Sequence, residues 1–415
     1  MPSASDTRSS TAPDDTTGPG GAGRPAGAGP WRGRLTTGRL IRLGAFLVCA
    51  ALLLSFPSMA PNPYILSAGV VVLSYACTAT AWNFMGGFTG YVSLGHAAFF
   101  GLGAYSTALL IRDLELSPFV AWLLGGVVVL VVTIPVGVAA LRVRGASFVI
   151  VSISFVLITL LVFQGWDAFT GGSNGLVVPR PFPELLRPEH HRVFFYLFAA
   201  LLGVMLLAWW AIDRSQFGMG LKAVREDEDK AQALGVPTRN YKLAAYLISG
   251  TFTGLAGGMY ALWFGDLDPI FQFSIMLGAY MVLMALLGGV RHLFGPLLGA
   301  LIVGSALEYF KMEFGDTQLH LVATALLLAL VVLFMPDGII PAARDLVRRF
   351  GPQQSSIREM TAAELLERNR EAAAEAAART AGGTAAGGTA GDGDRTDDGG
   401  TDGAGAAGSG KEEER

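Results

Sequence analysis

Charge is scarce in this sequence, and cysteine is scarcer. Only 15% of the 415 residues are charged, against about 25% in a soluble domain. The shortage is sharper than the mean, because two polar ends dilute a nearly uncharged middle. Between Arg39 and Phe350 apolar stretches recur with short breaks, which excludes an ordinary soluble domain and predicts an all-α polytopic membrane protein. The two cysteines, Cys49 and Cys77, fall in separate predicted spans, so neither a disulfide framework nor a metal site is indicated. No HExxH, no GxSxG and no paired membrane carboxylates occur, so no catalytic, cofactor-binding or metal-binding residue is assigned. The centres of the predicted spans lack Asp, Glu, Lys and Arg, with Arg42, Glu308 and His320 near span ends. Ion-coupled carriers retain such groups at a cost of a few kcal/mol each, so their lack weighs against a proton- or sodium-driven carrier. Gly405 to Lys411 spells G-x-x-x-x-G-K, but Glu412 follows and no strand precedes it. It builds no phosphate cradle, and any nucleotide that drives the protein is held by another chain.

A span needs about 20 apolar residues. Ten are placed, at roughly 40–56, 64–84, 93–111, 119–141, 146–165, 193–212, 243–264, 273–290, 295–310 and 319–335. The third and ninth are short and Gly-rich, the pattern of re-entrant or broken helices. An even count puts both termini on one side. Arg32, Arg34, Arg39 and Arg42, then Arg142 and Arg144, the cations from Arg214 to Lys242, and Arg344, Arg348 and Arg349 all fall on that side. Excess Arg and Lys mark the cytoplasmic face. The predicted organisation is a disordered arm over 1–38, free of a signal-peptide core, a membrane domain over 39–350, and a solvated helix within 351–380. That helix opens on the capping box Thr361-Ala362-Ala363-Glu364. A disordered acidic Gly/Ala-rich tail over 381–415 completes the chain. The longest outward loop, 166–192, carries Thr170 to Gly175 and four prolines and reads as a stiff, irregular surface for an external partner.

The polar residues are concentrated in one internal loop. Ser215 to Pro237 is a charged, helix-patterned island between two membrane spans. The spacing predicts one helix from Gly218 through Leu234, with Gly235 past its end, Pro237 as a stop and Thr238 as cap of the next span. Ala231, Ala233 and Leu234, after the acidic run Glu226–Asp229, form an apolar knob with a charged collar, suited to a groove in a soluble partner. In the next span Gly250, Gly254 and Gly258 share one face and allow close helix packing. The run Trp82 to Gly101 is Gly-rich and weakly polar. Its Asn83, Thr89, Ser93 and His96 are candidate lining of a translocation path.

Four segments in this order resemble one family. They are Gly87 to Tyr105; Arg144-Gly145 with Thr170 to Leu176; Phe217 to Gly235; and Leu287 to Val290 with Phe294 to Ala300. Together they are similar to a LivM-type permease of the branched-chain amino acid ABC importers. Between the halves of the fourth segment, Arg291-His292 replaces the smaller Gly-Thr pair common in the family. The resemblance implies a multi-pass subunit of the cell membrane with no catalytic site. It also implies a homologous second permease subunit, two cytoplasmic ATP-binding subunits and an extracellular solute-binding protein as partners, membrane lipid as the surroundings, and no nucleic acid. It makes Arg225, Glu226, Asp227, Glu228, Ala231, Ala233, Leu234 and Gly235 the ATPase-coupling segment. The alternatives are a related urea or short-amide importer, a stand-alone secondary carrier, and a membrane scaffold without transport.

Overall fold

The computed structural model describes residues 62–315 without a break, together with 53, 55–59, 364–375 and single positions between 322 and 339. The first and tenth expected spans, the arm, the acidic tail and the Thr361 cap lie outside the described residues or nearly so. Residues 364–375 are helical with every side chain exposed.

Eight longer helices occupy the region of the second to ninth expected spans. They are α1 (Pro63–Thr89), α2 (His96–Leu114), α3 (Pro118–Ala140), α4 (Ala146–Gly165), α5 (Arg187–Arg214), α8 (Thr238–Phe264), α9 (Ile275–Gly288) and α10 (Gly295–Phe314). Between α5 and α8 lie two short ones, α6 (Gln216–Glu226) and α7 (Glu228–Ala233). Proline occupies the first turn of α1, α3, α5 and α10, where its missing N–H costs nothing. The third and ninth expected spans are continuous helices, α2 and α10, not broken segments. Five segments among the described residues are long and apolar enough to cross a membrane: Pro63–Thr89, Pro118–Ala140, Ala146–Gly165, Arg187–Arg214 and Pro269–Gly288. The chain is a multi-pass helical membrane protein.

Which helices are most apolar follows from what surrounds them. α3 and α4 expose Leu123, Val127, Val131, Ile150, Ile158 and Leu161, side chains fit for lipid. α8 packs against α1, α2 and α3, and buries Ser249, Thr253 and its glycines. A helix enclosed by protein needs small residues rather than large apolar ones. At Gly254 a Cβ would lie 2.7 Å from Val129 of α3, and at Gly250 it would lie 2.9 Å from the Thr133 hydroxyl. At Gly258 it would crowd the Thr107 hydroxyl, 2.5 Å away. These three glycines therefore face α2 and α3 of the same chain. Gly103 of α2 sits so close to Gly254 that any side chain would run into its carbonyl. α9 and α10 form a hairpin of the same kind, with Gly288 against the Gly295 carbonyl.

The 166–192 loop is more ordered than expected. Thr170 Oγ1 donates to the carbonyls of Phe163 and Trp166 at 2.6 and 2.8 Å, closing a one-turn helix, Asp167–Thr170. The strand β1 (Leu176–Val177) then pairs antiparallel with β2 (Asp266–Leu267), in the register Leu176 to Leu267. Gly175 has φ +72° where it turns into that strand, beside the Leu267 carbonyl, which is why the motif ends in glycine. The loop is thus fastened to the loop after α8.

Gly103→Val should force α2 and α8 apart against backbone, costing at least about 1–3 kcal/mol. The thermal midpoint of the detergent-purified protein should fall, whereas Gly203→Val, at a site with nothing within 4 Å, should leave it close to unchanged.

Candidate functional site: a charged elbow fastened to one end of the bundle

The internal loop is an elbow of two helices, not the single expected helix. It breaks at Asp227, whose side chain accepts from the backbone N–H groups of Asp229 and Lys230 at 3.1 and 3.0 Å. An aspartate inside a helix competes for backbone donors and favours the cap. Here it ends α6 and starts α7, with Glu228 and Asp229 in the first turn, where negative charge suits the helix dipole. The two backbone hydrogen bonds and the cation of Lys230 hold the Asp227 carboxyl below the usual carboxylate range. α7 ends in a Schellman motif: Val236 N–H donates to Ala231 O and Gly235 N–H to Gln232 O, both at 3.0 Å, with Gly235 at φ +88°. Thr238 is the first residue of α8 and makes no side-chain cap, a correction to the expected capping role. α6 starts at a Ser215 cap, with Gly218 N–H donating to its hydroxyl at 3.0 Å. It buries Gly218, Leu221 and Val224 against the ends of α1, α5 and α8.

Two of the elbow's charges, Glu228 and Arg225, are turned inward, whereas Glu226, Asp229 and Lys230 face solvent. Glu228 accepts from Lys242 Nζ at 2.6 Å and from the Tyr91 hydroxyl at 2.7 Å. Arg144 reaches Glu228 at 3.3 Å and Asp229 at 2.8 Å. The Lys242 and Glu228 side chains are only 4% and 12% exposed. The Lys242 ammonium also lies 4.9 Å from the centre of the Tyr91 ring, a cation–π distance. Burial pushes the Glu228 carboxyl up, but hydrogen bonds from Lys242 and Tyr91 and the Lys242 and Arg144 charges outweigh it and leave it below the usual carboxylate range. Burial, followed by the Glu228 contact, pushes the Tyr91 phenol up, so it stays a neutral donor. Arg225 donates to the carbonyl of Gly87 at 2.8 Å, at the C-terminal end of α1 where carbonyls lack helical partners and a cation is favoured. One acid thus joins the elbow to α8, to Arg144 before α4 and to the linker 90–95 between α1 and α2.

That linker explains the weakly polar run. α1 continues to Thr89 and α2 begins at His96, so only six residues are non-helical. Gly90 and Val92 are exposed, and of the rest the Ser93 carbonyl and the Leu94 and Gly95 N–H groups are satisfied by side chains, as backbone away from water requires. Trp82 Nε1 donates to Ser93 O at 2.7 Å, Leu94 N–H to Ser152 Oγ at 3.1 Å and Gly95 N–H to Ser93 Oγ at 3.3 Å. Thr89 Oγ1 donates to Met85 O at 2.7 Å. His96 Nε2 meets Ser249 Oγ at 2.5 Å, and Ser249 donates to Ala81 O at 2.7 Å, joining α2, α8 and α1. Asn83, Thr89, Ser93 and His96 are all buried. The last three are engaged in these contacts, and Asn83 has no side-chain partner among the described residues.

The expected knob is divided. Ala231 is 2% exposed and lies inside the chain, so it is no part of an outward surface, which corrects the expectation. Ala233 and Gly235 are exposed, and Leu234 is 84% exposed. Sequence reasoning missed Tyr91 and Lys242. The signal for Lys242 was a lysine four residues inside a helix bound for the membrane, which needs an acid, and the nearest acidic run is Glu226–Asp229.

A family model described as the branched-chain amino acid transport system permease component matches residues 64–335. The chain is 27% identical over 311 residues to the high-affinity branched-chain amino acid transport system permease protein LivM of Escherichia coli K12, covering 68% of this chain and 72% of that one. To LivH of the same organism it is 26% identical over 284 residues, 64% of this chain and 91% of that one. A shorter match, 27% over 150 residues, is to the nucleoside ABC transporter permease protein NupC of Lactococcus lactis subsp. cremoris, covering 34% of this chain and 46% of that one.

Glu228→Ala should strand a buried ammonium and destabilise the protein by about 3–5 kcal/mol, read as a lower denaturation midpoint. Asp229→Asn, on the exposed rim, should change it by about 0.5 kcal/mol or less. Because the Glu228 carboxyl is depressed, its contribution is complete above the ordinary value near 4.3 and fades as pH falls through the lower folded-state value. Proteolysis of the elbow should therefore be flat from pH 8 to pH 5 and rise in more acid solution.

Proposed function

The chain belongs to the branched-chain amino acid transport permease family, and on that premise we propose that it is one membrane subunit of an ATP-driven importer of branched-chain amino acids. Its path forms with a homologous second permease subunit, a pairing supported by the existence of LivM and LivH as related permeases. ATP is hydrolysed by two separate subunits at the cytoplasmic face of the cell membrane, where the elbow and both termini lie. An extracellular solute-binding protein delivers the amino acid. The chain performs no chemistry on its solute.

The observation that carries this reading is the tip of the elbow. Leu234 stands out into solvent at the end of a helix that Glu228 fastens to the bundle, beside a first arm fastened by Arg225. A large apolar side chain left exposed on a rigid mount suits insertion into a partner's groove. Ala233 and Gly235 beside it are exposed too and let a partner approach closely. Closure of the ATP-hydrolysing subunits pushes α7. Glu228 then passes the displacement to Tyr91 and Lys242, hence to the 90–95 linker and α8. Ser93 belongs to this linker and Thr89 and His96 flank it; with Asn83 they line the path and change their packing as the linker moves, and the Gly250, Gly254 and Gly258 face is where α8 slides on α2 and α3.

Leu234→Arg tests the coupling. In a normally assembled complex, uptake should fall at least about ten-fold, the loss of one interface anchor, and ATP hydrolysis should no longer respond to solute. Uptake and solute-stimulated hydrolysis that both survive would remove the elbow from the coupling path.

A further inference from the structure

Beside the elbow, the ends of α3 and α8 border an open hollow of about 390 Å³. Its polar wall holds Arg142, Arg144, Arg239 and Lys242 against one carboxylate, Glu228, and its apolar wall is Val138, Leu141 and Leu243. Glu228 and Asp229 occupy Arg144 and Lys242. Arg142 and Arg239 form no ion pair among the described residues. The hollow is therefore lined by two exposed arginines without an ion-pair partner among the described residues, side chains whose planar fork of donors matches a phosphate.

Its position adds a second constraint. Along α3, Leu124, Val127, Val128, Val131 and Ile134 are exposed, at spacings of three and four that make one stripe. Val138 continues it into the hollow. An apolar track on a membrane helix that ends in a cationic hollow at the helix terminus fits an amphiphile with its anionic head in the hollow and its chain along the helix. A free anion has no use for the track, and neither has an acidic side chain of a soluble partner. We propose that this hollow seats the phosphate of an acidic phospholipid, with Arg142 and Arg239 as its ligands and one acyl chain along the α3 stripe. The site goes beyond the transport reading and does not depend on it. It also places a lipid headgroup against the wall that holds Glu228, where lipid composition bears on how tightly the elbow is held.

Native mass spectrometry of the full-length chain, delipidated in neutral detergent, tests the seat. Phosphatidylglycerol and phosphatidylcholine of matched acyl chains are the probes, with inorganic phosphate as competitor. Phosphatidylglycerol should be retained over phosphatidylcholine, and equimolar phosphate should not displace it. The double variant Arg142→Gln/Arg239→Gln should weaken retention roughly 30-fold, the effect of two interfacial charges. Arg142→Lys/Arg239→Lys should keep most of it, which separates loss of charge from loss of fold. Equal retention of the two lipids, or undiminished retention by the glutamine variant, would overturn the proposal. So would displacement by phosphate, which marks a free-anion site. Loss of an ATP-hydrolysing subunit from the complex with lipid retention unchanged would mark a protein contact and overturn it too.

Discussion

The Glu228 carboxylate is the constraint on which the rest of the site depends. It is nearly enclosed, accepts from the Lys242 ammonium and the Tyr91 hydroxyl, and forms an ion pair with the Arg144 guanidinium. Desolvating a carboxylate and an ammonium at the edge of a membrane costs several kcal/mol per ion unless each is paired and hydrogen-bonded. Once paired, neither partner leaves without stranding the other. Side chains from α8, from the connection before α4 and from the 90–95 linker thereby hold the elbow in one orientation. The Asp227 cap sets the angle between the elbow's two arms, and the Arg225 contact with the end of α1 anchors the first arm.

That fastening joins two kinds of packing. The elbow is held by charge, whereas α8 is held to α2 by backbone proximity between Gly254 and Gly103, and to α3 by the Thr133 and Val129 side chains seated on Gly250 and Gly254. Lys242 belongs to both, as part of the ion network and as a residue of α8. The 90–95 linker is likewise shared, because Tyr91 touches Glu228 while Trp82, Ser93 and Ser152 hold the linker's backbone. A push on α7 thus has a stiff route into the bundle, as the proposed coupling requires. The loops after α4 and α8 are braced separately by the short ladder between β1 and β2.

Much of this was legible in the sequence, and the remainder was not for identifiable reasons. Apolar runs and their breaks located eight described helices, because burial in lipid demands them. The elbow stood out as the one charged interior stretch, and Gly235 marked its end. The break at Asp227 was missed because Asp-Glu-Asp-Lys suits both a helix interior laced with charge and a new first turn. The choice rests on Glu228 meeting Lys242 and Tyr91, and Tyr91 lies 137 residues away in sequence. Ala231 read as part of an outward knob because helix periodicity does not say which face a tertiary contact covers. The sequence marked Thr89, Ser93 and His96 as polar residues of the Gly-rich run but not their partners, because their contacts around the linker reach Met85, Gly95 and Ser249 and depend on tertiary packing.

The central claim is that the elbow is locked to the bundle by the mutual dependence of Glu228 and Lys242. A double-mutant cycle on thermal stability, with Glu228→Gln, Lys242→Met and the pair, measures that dependence directly. The account predicts a double variant more stable than the sum of the single losses, by a coupling of about 1–3 kcal/mol. Strictly additive losses would show that the two side chains are neighbours without being a lock.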